Sequence, residues 1–527
     1  MLSPFLGDHA WRRRFLALGV VLLTLAAASL PVFQAVILKM LPFDNKSELQ
    51  IVVDMPERTP MEKTQRVLLE MGHHLETVGD VANWQTYAGT ASPINFNGLV
   101  RQYYLRGEPY QGDIQVNLVG EENRARQSHA IAQSLRGPLT DIGDRYNAEV
   151  KVVEVPPGPP VMAPVVAEIY AVNNERRAEL ATQVAEGMTQ VDGLVQIDTT
   201  LEAPTRQWEV VVDRSRAARL GISQSQVVMA LQTALGGRGV SFLHDEHAKY
   251  PVPIRIILGE GDKAQPSALL SVNVRSRSGQ LVPLASIAEV READWMGAIY
   301  HKDLLPVTYV TAAMTGEIDS PLYGMFAMVE RLKQDPGAPE QYFISQPVLP
   351  EKGTLKWDGE WQITYETFRD MGMAYSVGVF MIFVLLVAQF RSYIMPLVVM
   401  APIPLTLIGI MPGHALLERE FTATSMIGMI ALAGIIVRNS ILLVVFIRQL
   451  LDEGVELGEA VILAGAVRIK PIALTAISAM VGAYFILNDP IFNGLAISLV
   501  FGLAMSTLFT IIVVPLLYYN LARCNWL

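Results

Sequence analysis

The sequence has a single cysteine, Cys524, among its 527 residues, so no intrachain disulfide can form and each domain must rely on its own hydrophobic core. Charged residues make up only 17% of the chain and lie mostly between positions 44 and 370. A soluble globular protein would spread its charges along the whole length. The composition therefore predicts a membrane protein with a large water-exposed insert, and the net charge of −10 argues against a nucleic-acid partner.

Motifs of the common enzyme classes are absent from the sequence. There is no G-x-x-x-x-G-K-[ST] phosphate-binding loop, no G-x-S-x-G elbow and no H-E-x-x-H helix. The run His244-Asp245-Glu246-His247 has donors for a metal ion, but it follows a Gly-rich turn and is better explained as a solvated hairpin, and the pair His73-His74 is weaker still. We expect no enzymatic activity, no resident metal and no cofactor.

Six apolar segments are long enough to span a bilayer. They are Phe15–Leu38, Met371–Phe390, Ile394–Met411, Ser425–Phe446, Pro471–Leu487 and Leu495–Tyr518. The arginine triplet at 12–14 places the N-terminus in the cytoplasm, and an even number of spans puts both termini there. The large insert then lies outside the cytoplasmic membrane, and residues 449–467 are expected to form an amphipathic helix on its inner surface.

The insert alternates strand and helix patterns, which predicts an α+β fold. Glu48–Asp54 has the pattern of a strand, and Thr59-Pro60-Met61-Glu62 combines a capping box with proline at the first helical position. The run Pro156-Pro157-Gly158-Pro159-Pro160 interrupts the pattern and marks a subdomain boundary. The same succession of elements repeats beyond it, and there Ser223 and Gln226 form a second capping box.

The segment Thr424–Phe446 is apolar except for Arg438 and Asn439 near its middle. An arginine at membrane depth costs at least a few kcal/mol and usually faces a protein interior, where it has a function. The alternative, an arginine whose side chain reaches the membrane surface, requires a long reach. No Asp or Glu lies within the six predicted spans, and arginine does not titrate, so a proton-coupled role for Arg438 requires a carboxylate from elsewhere.

Three stretches carry a resemblance to a known family: residues 38–62, residues 212–237, and the C-terminal block Gly434–Pro515 with GIIVRNSILLVVF and RIKPIALTAIS. Their order and spacing resemble the C-terminal half of the resistance-nodulation-division (RND) efflux transporters. In that family Arg438-Asn439 matches a lysine-asparagine pair, while Arg468 and Thr475 match relay residues. The aspartate pair of the relay would belong to an N-terminal half. Arginine in place of lysine removes any release of a proton by residue 438 itself.

The resemblance also implies a domain organisation and partners. The fold would be a six-helix membrane bundle with a periplasmic insert of two ferredoxin-like porter subdomains and a docking subdomain. Expected ranges are 1–43 for the N-terminal tail and first helix, 44–156 for the first porter subdomain, 157–213 with 296–356 for the second, 214–295 for docking, and 357–527 for the remaining helices. The pump would be an inner-membrane trimer, driven by the proton gradient, that works with a periplasmic adaptor and an outer-membrane channel.

The sequence therefore favours half of a proton-driven efflux permease that exports drugs or other small toxic compounds and needs a partner half carrying the aspartate pair. Two alternatives stay open, a protein-export accessory subunit and a non-transporting membrane scaffold. The substrate is not determined. Phe96, Tyr103 and Tyr104 are candidates for the porter cleft, although each side chain is equally compatible with a core position.

Overall fold

The computed structural model describes residues 3–6, 10–155, 158, 161–202, 206–295, 297–316, 318–347 and 353–524. The proline-rich boundary predicted at 156–160 lies outside the described residues, apart from Gly158. The division of the insert into porter and docking ranges stays a prediction. By its contacts the chain forms two compact units, Glu202–Ala298 in one and the remaining residues in the other.

The first helix, α1, is shorter at its C-terminal end than the apolar sequence predicts. It spans Ala10–Ser29, after which the chain turns, because Pro31 disfavours a helical conformation at the residue before it. Five helices of the described chain are long and apolar enough to cross a membrane, and α1, with three arginines at 12–14, is not among them. The predicted count of six spans is therefore not confirmed.

The first sheet is four-stranded and antiparallel. Its elements are β1 Glu48–Asp54, α2 Met61–Leu75, β2 Val81–Ala88, α3 Phe96–Val100, β3 Gln111–Leu118, α4 Ser128–Asp144 and β4 Glu149–Glu154. The strand order is β2-β3-β1-β4, as in a ferredoxin-like split βαβ unit. Helices α2 and α4 bury Leu68, Met71 and Leu135 in a core shared with Ile51 and Ile114 of the sheet.

The capping box predicted before α2 does not form. Pro60 occupies the N-cap position, and its side chain makes no capping hydrogen bond. The Thr59 hydroxyl instead donates to the Pro56 carbonyl at 2.6 Å. Proline at the N-cap moves the helix start one residue further along than the sequence pattern implies. Strand β2 was missed altogether, because its residues are mostly exposed or half-buried and lack an apolar alternation.

The second sheet begins with β5 Val165–Tyr170, α5 Asn174–Thr189 and β6 Leu194–Thr199. The chain then enters the compact unit Glu202–Ala298. That unit contains β7 Arg206–Val212, α6 Arg214–Arg219, α7 Gln224–Gly236, β8 Arg238–Leu243, β9 Val252–Ile256, α8 Glu260–Lys263, α9 Pro266–Leu270, β10 Asn273–Arg275, β11 Leu281–Pro283 and β12 Ala288–Asp294. The capping box predicted at Ser223 and Gln226 is confirmed at the start of α7.

The second sheet is completed by elements that follow this insertion: β13 Tyr300–Lys302, β14 Leu305–Met314, α10 Pro321–Lys333, β15 Glu340–Tyr342 and β16 Thr354–Gly359. The order β13-β14-β5-β16-β15, with β6 also paired to β14, contains the arrangement of the first sheet a second time. Helices α5 and α10 cover one face, where Leu180, Met328 and Trp357 are fully buried. The repeat is one of topology.

The remaining helices include all five candidate membrane spans. They are α11 Glu360–Phe390, α12 Ile394–Met400, α13 Leu407–Leu416, α14 Ala423–Asp452, α15 Leu457–Tyr484 and α16 Asn493–Arg523, with α12 and α13 forming one span interrupted by a 3-10 turn. At 31 residues α11 is about 46 Å long, more than a hydrocarbon core of about 30 Å requires. Its first turns continue directly from β16.

The separate amphipathic helix expected over 449–467 does not exist. Residues up to Asp452 belong to α14, and everything from Leu457 to Tyr484 is one continuous helix, α15, with Pro471 inside it. The sequence pattern predicts a helix that starts at Pro471, because proline is favoured at the first position of a helix. The helix instead continues through the proline and forgoes one backbone hydrogen bond.

Candidate membrane coupling site

Helix α14 has one buried face and one exposed face. The buried face packs against the other membrane helices through Leu432, Ile436, Leu443 and Ile447. Between Ile427 and Val445 the exposed residues recur every three or four positions and form a single row, which we call the open row: Ile427, Ile430, Ala431, Gly434, Arg438, Leu442 and Val445. The spacing is that of one helix face, so the row is a continuous surface that the described residues leave uncovered.

Arg438 is the charged residue of the open row, and the part of the chain that the structure describes does not give it the expected interior position. Among the described residues no carboxylate pairs with its guanidinium. A charge on a lipid-facing surface in mid-membrane is expensive, so the residue requires a cover that these helices do not supply. The structure confirms that Arg438 lies within a long apolar helix, whereas the face on which it lies is visible only in the packed bundle.

Asn439 points to the other side of α14. Its side chain is only 3% exposed, and the neighbouring Ser440 is fully buried, with a hydroxyl that has no hydrogen-bond partner among the residues described. Successive residues on a helix are rotated by about 100°, so adjacent positions cannot share a face. The arginine and the asparagine therefore act on different surfaces of α14.

Arg468, on α15, is held against α14 by an aromatic ring. Its guanidinium carbon lies 4.6 Å from the ring centroid of Phe446, within the range of a cation–π interaction. The Nε of Arg468 is buried and has no hydrogen-bond partner in the described part of the chain. Arg468 and Phe446 therefore mark one level at which α15 contacts α14.

Thr475 lies seven residues beyond Arg468 on α15, about 10 Å along the helix. Its side chain is exposed, and its hydroxyl donates to the carbonyls of Pro471 at 3.1 Å and Ile472 at 2.9 Å. The four-residue turn 453–456 makes α14 and α15 antiparallel neighbours. Residues that follow Arg468 on α15 therefore lie beside residues that precede Phe446 on α14, in the direction of Arg438. Arg438 precedes Phe446 by eight residues, about 12 Å, so Thr475 and Arg438 lie at nearly the same depth.

Carboxylates do occur within the membrane helices, because these helices extend beyond the predicted apolar spans. Glu360, Glu366 and Asp370 lie in the first third of α11, Asp452 ends α14, and Glu459 lies in the first turn of α15. All of them lie near helix ends, well away from the middle of α14. The central parts of the five spans contain no acidic residue, as the sequence predicts.

The three candidates for the porter cleft lie on the connection between β2 and β3, outside the hydrophobic core. Phe96 and Tyr104 are each 45% exposed, and Tyr103 is half-buried beneath Arg106, whose guanidinium carbon is 5.9 Å from its ring centroid. Arg106 ties this connection to the sheet by bonds to Asp54 at 2.8 Å and to Asp113 at 3.0 Å. Burial raises the pKa of Asp113, although Arg106 opposes that effect.

Sequence reasoning missed a buried ionic cluster on the second sheet. Glu168 of β5 is fully buried, bonds Lys302, and lies 3.5 Å from Lys356 of β16, while Lys302 also reaches Asp358 at 2.5 Å. Burial is the main cause that raises the pKa of Glu168, followed by its bond to Asp358. An acidic residue inside the apolar strand Val165–Tyr170 is the only local signal of this cluster.

Neither candidate metal motif assembles a site. His244-Asp245-Glu246-His247 lies in the exposed turn between β8 and β9, and His73 is a surface residue of α2 beside Glu76. In the described ranges no group of three or more His, Cys, Asp or Glu side chains is arranged to hold a metal ion.

Residues 8–522 match the AcrB/AcrD/AcrF family. Among individual relatives, the swarming motility protein SwrC of Bacillus subtilis (strain 168) is 25% identical over 337 residues, covering 63% of this chain and 30% of that protein. The multidrug resistance protein MdtC of Proteus mirabilis (strain HI4320) is 25% identical over 355 residues, covering 65% and 33%. The cobalt-zinc-cadmium resistance protein CzcA of Cupriavidus metallidurans is 25% identical over 368 residues, covering 68% and 33%.

The fold matches that of solved structures of larger proteins. Two crystal forms of a heavy metal efflux pump superpose with a TM-score of 0.78, at 18% and 19% sequence identity. Each superposition covers 99% of this chain and 52% or 51% of the pump. The chain thus spans about half the length of these structures, and its alignments cover about a third of the relatives above. Since the family match extends over nearly all of its residues, the chain belongs to the AcrB/AcrD/AcrF family of RND-type efflux permeases.

Proposed function

We propose that this chain forms one half of a proton-driven efflux permease and that a second membrane half covers the open row of α14. The observation that carries the proposal is Arg438, exposed in the middle of a membrane span and without a carboxylate partner among the described residues. Leaving it against lipid costs at least a few kcal/mol, so a protein surface with compensating charge is favoured. The half can be a separate chain or another part of a longer one.

The second half supplies the titrating groups, because arginine stays charged at every physiological pH. An aspartate pair opposite Arg438 fits this requirement. Protonation of the pair releases the arginine, the helices shift, and the two sheets of the insert change their relative positions. Arg468 and Thr475 complete the coupling site, since α15 places Thr475 level with Arg438, and Asn439 fixes the rotation of α14 from its buried side. The proton gradient is the energy source, and no cofactor is required.

The substrate class we favour is apolar small molecules such as drugs, rather than metal ions. The connection between β2 and β3 exposes Ile94 (73%), Leu99 (61%) and Leu105 (69%) beside Phe96 and Tyr104. Such a surface binds an apolar compound more favourably than a hydrated cation. CzcA and the heavy metal efflux pump are named for metals and MdtC for multidrug resistance, so the relatives point both ways.

The assembled pump is an inner-membrane trimer that works with a periplasmic adaptor and an outer-membrane channel. In this arrangement α1 is the sixth span, both termini are cytoplasmic, and the two sheets lie in the periplasm. The 20 residues of α1 suffice for one crossing, with Arg12 and its neighbours at the cytoplasmic surface.

The decisive experiment is export by pumps that carry Arg438→Ala, with Arg448→Ala as the matched control. Arg448 lies on the same helix but near its cytoplasmic end, stacked 5.9 Å from the centroid of Phe390. We expect Arg438→Ala to abolish export at unchanged expression, and Arg448→Ala to retain most of it. Export that persists without Arg438 would remove the coupling role and favour a scaffold.

Purification of the chain in mild detergent tests the second half directly. A co-purifying six-helix segment with an aspartate pair in its fourth helix is the expected result. Recovery of this polypeptide alone, with no carboxylate facing Arg438, would make proton-driven export by it untenable.

A further inference from the structure

The linker between α1 and β1 pairs with the segment that begins α14. The amide of Phe421 donates to the Ile37 carbonyl at 2.8 Å, the amide of Lys39 donates to the Phe421 carbonyl at 3.2 Å, and the amide of Ala423 donates to the Met40 carbonyl at 3.0 Å. Leu38 forms a parallel bridge with Phe421. Since α14 starts at Ala423, this short ladder ends on the first residue of the helix that carries Arg438.

The ladder also contacts two other membrane helices through one ring. The Phe421 ring centroid lies 6.2 Å from that of Phe368 on α11 and 5.4 Å from the imidazole of His414 on α13. The ring is 5% exposed. A displacement of the ladder would therefore be transmitted to α11 and α13 through the Phe421 ring, and to α14 through Ala423.

The same linker is bound to the second sheet through the start of α10. The Ser320 hydroxyl donates to the Leu38 carbonyl at 2.7 Å, and the Leu38 amide donates to the Tyr323 hydroxyl at 3.3 Å. The Lys39 ammonium lies 3.2 Å from the Asp319 carboxylate and is only 3% exposed. Helix α10 packs into the core of the second sheet through Met328, so the linker moves with that sheet.

The first sheet reaches the linker through His129 of α4. Its Nε2 lies 3.1 Å from the same oxygen of Asp319 that Lys39 contacts, and its Nδ1 lies 2.8 Å from Glu154 of β4. The ring of Phe43 stacks on the imidazole at 4.1 Å and 12°, and the Lys39 ammonium lies 4.1 Å from the centroid of that same phenyl ring. Asp319 thus joins two cations that come from different parts of the chain.

We propose that residues 37–43 are the link through which both sheets of the insert displace the start of α14, and that Asp319, Lys39 and His129 clamp the sheets to it. The structural part stands on the contacts alone, and its role in transport rests on the proposed function. Lys39 lies on the linker, Asp319 on the loop before α10, and His129 on α4. The Asp319 carboxylate contacts both of the other side chains. Movement of either sheet therefore reaches Phe421 through packed and hydrogen-bonded groups.

The charges of the clamp support the same conclusion. Burial lowers the pKa of His129, but its bonds to Asp319 and Glu154 outweigh burial and raise that pKa to about 9. Burial raises the pKa of Asp319, while His129 and Lys39 together bring it below its ordinary value. His129 is therefore a cation at neutral pH, and loss of the Asp319 carboxylate would leave the buried Lys39 ammonium without the partner that it contacts.

Hydrogen exchange on the intact chain in lipid nanodiscs, with any bound half retained, tests the link. We expect Asp319→Asn to speed exchange of the Phe421 and Ala423 amides by about tenfold or more, although residue 319 bonds neither amide. Asp80→Asn is the matched control, because it breaks the Arg126–Asp80 ion pair of the first sheet, which does not touch the linker. Unchanged exchange in Asp319→Asn, or equal changes in both variants, would overturn the proposal.

A second pair of variants separates charge from shape and keeps the test valid if Asp319→Asn folds poorly. His129→Lys retains the cation and should leave exchange at Phe421 close to that of the unmodified chain, whereas His129→Gln should raise it. Equal exchange in the two variants would contradict the clamp. Export measured in parallel distinguishes the two proposals, because faster exchange without any proton-driven export in the unmodified pump would sink the proposed function and leave the link intact.

Discussion

The guanidinium of Arg468 on α15 lies over the ring of Phe446 on α14, 4.6 Å from its centroid. A cation–π contact of this kind contributes about 0.5–2 kcal/mol, depending on how far it is desolvated. In a double-mutant cycle of Arg468→Met and Phe446→Leu, we expect a coupling energy of about 1 kcal/mol in thermal unfolding of the solubilised protein. Strictly additive effects would show that the two side chains are neighbours without mutual stabilisation.

The stability of the insert should depend on pH through His129. Its pKa is raised from 6.5 to about 9, so the folded state binds a proton that the unfolded chain releases. The stabilisation is complete below about pH 6.5 and is lost as the pH rises through about 9. We expect the melting temperature to fall across this window, and His129→Gln to flatten the fall. A profile unchanged by His129→Gln would mean that other groups control it.

Glu168 should be essential for the stability of the second sheet. Glu168→Gln leaves the 4%-exposed Lys356 without its carboxylate partner, whereas Lys302 keeps its bond to Asp358. Removal of one partner from a buried ion pair typically costs about 3–5 kcal/mol. Urea or thermal unfolding should show a loss of this order.

The control for Glu168→Gln is Glu330→Gln, which breaks an exposed pair with Lys333 and should change stability by less than about 1 kcal/mol. Similar losses in both variants would indicate that the cluster on the second sheet is no more than a surface network.

Two glycines of α14 should separate packing inside the chain from packing against a second half. A Cβ at Gly428 would meet the Ser498 Cβ at 2.6 Å, whereas a Cβ at Gly434 meets nothing within 4 Å. Gly428→Val should therefore disrupt the contact of α14 with α16 and lower the melting temperature. Gly434→Leu should leave the isolated chain stable and reduce recovery of the second half. Full recovery of that half with Gly434→Leu would place the contact elsewhere.

The sequence predicts the strand Glu48–Asp54, the capping box at Ser223 and the middles of the five spans, because all three depend on local patterns. The exposure of Arg438 could not be predicted, since a helix in lipid shows no polar face that would mark its orientation. The bond between Phe421 and Ile37 joins segments nearly 400 residues apart and has no local pattern at all.

The error over 449–467 has a simple cause. Residues 449–467 have the charge pattern of a helix on the membrane surface, and proline is favoured at the start of a helix. Both local signals predict a helix boundary before Pro471, whereas the structure has one continuous helix there. Glu168 shows the opposite case, in which a single local anomaly inside an apolar strand marks a buried cluster.

Pro471 gives α15 a point at which the helix bends more easily than elsewhere along its length. Without an amide proton it leaves the carbonyl of Val467 unbonded, and the helix is most easily bent at this turn. Arg468 lies on one side of the bend and Thr475 on the other. A few degrees of flexure would thus change the spacing between the stacked arginine and the threonine, while the rest of α15 stays straight. The part of α15 before Pro471 can then move with the C-terminal end of α14, while the part after it follows the middle of the bundle.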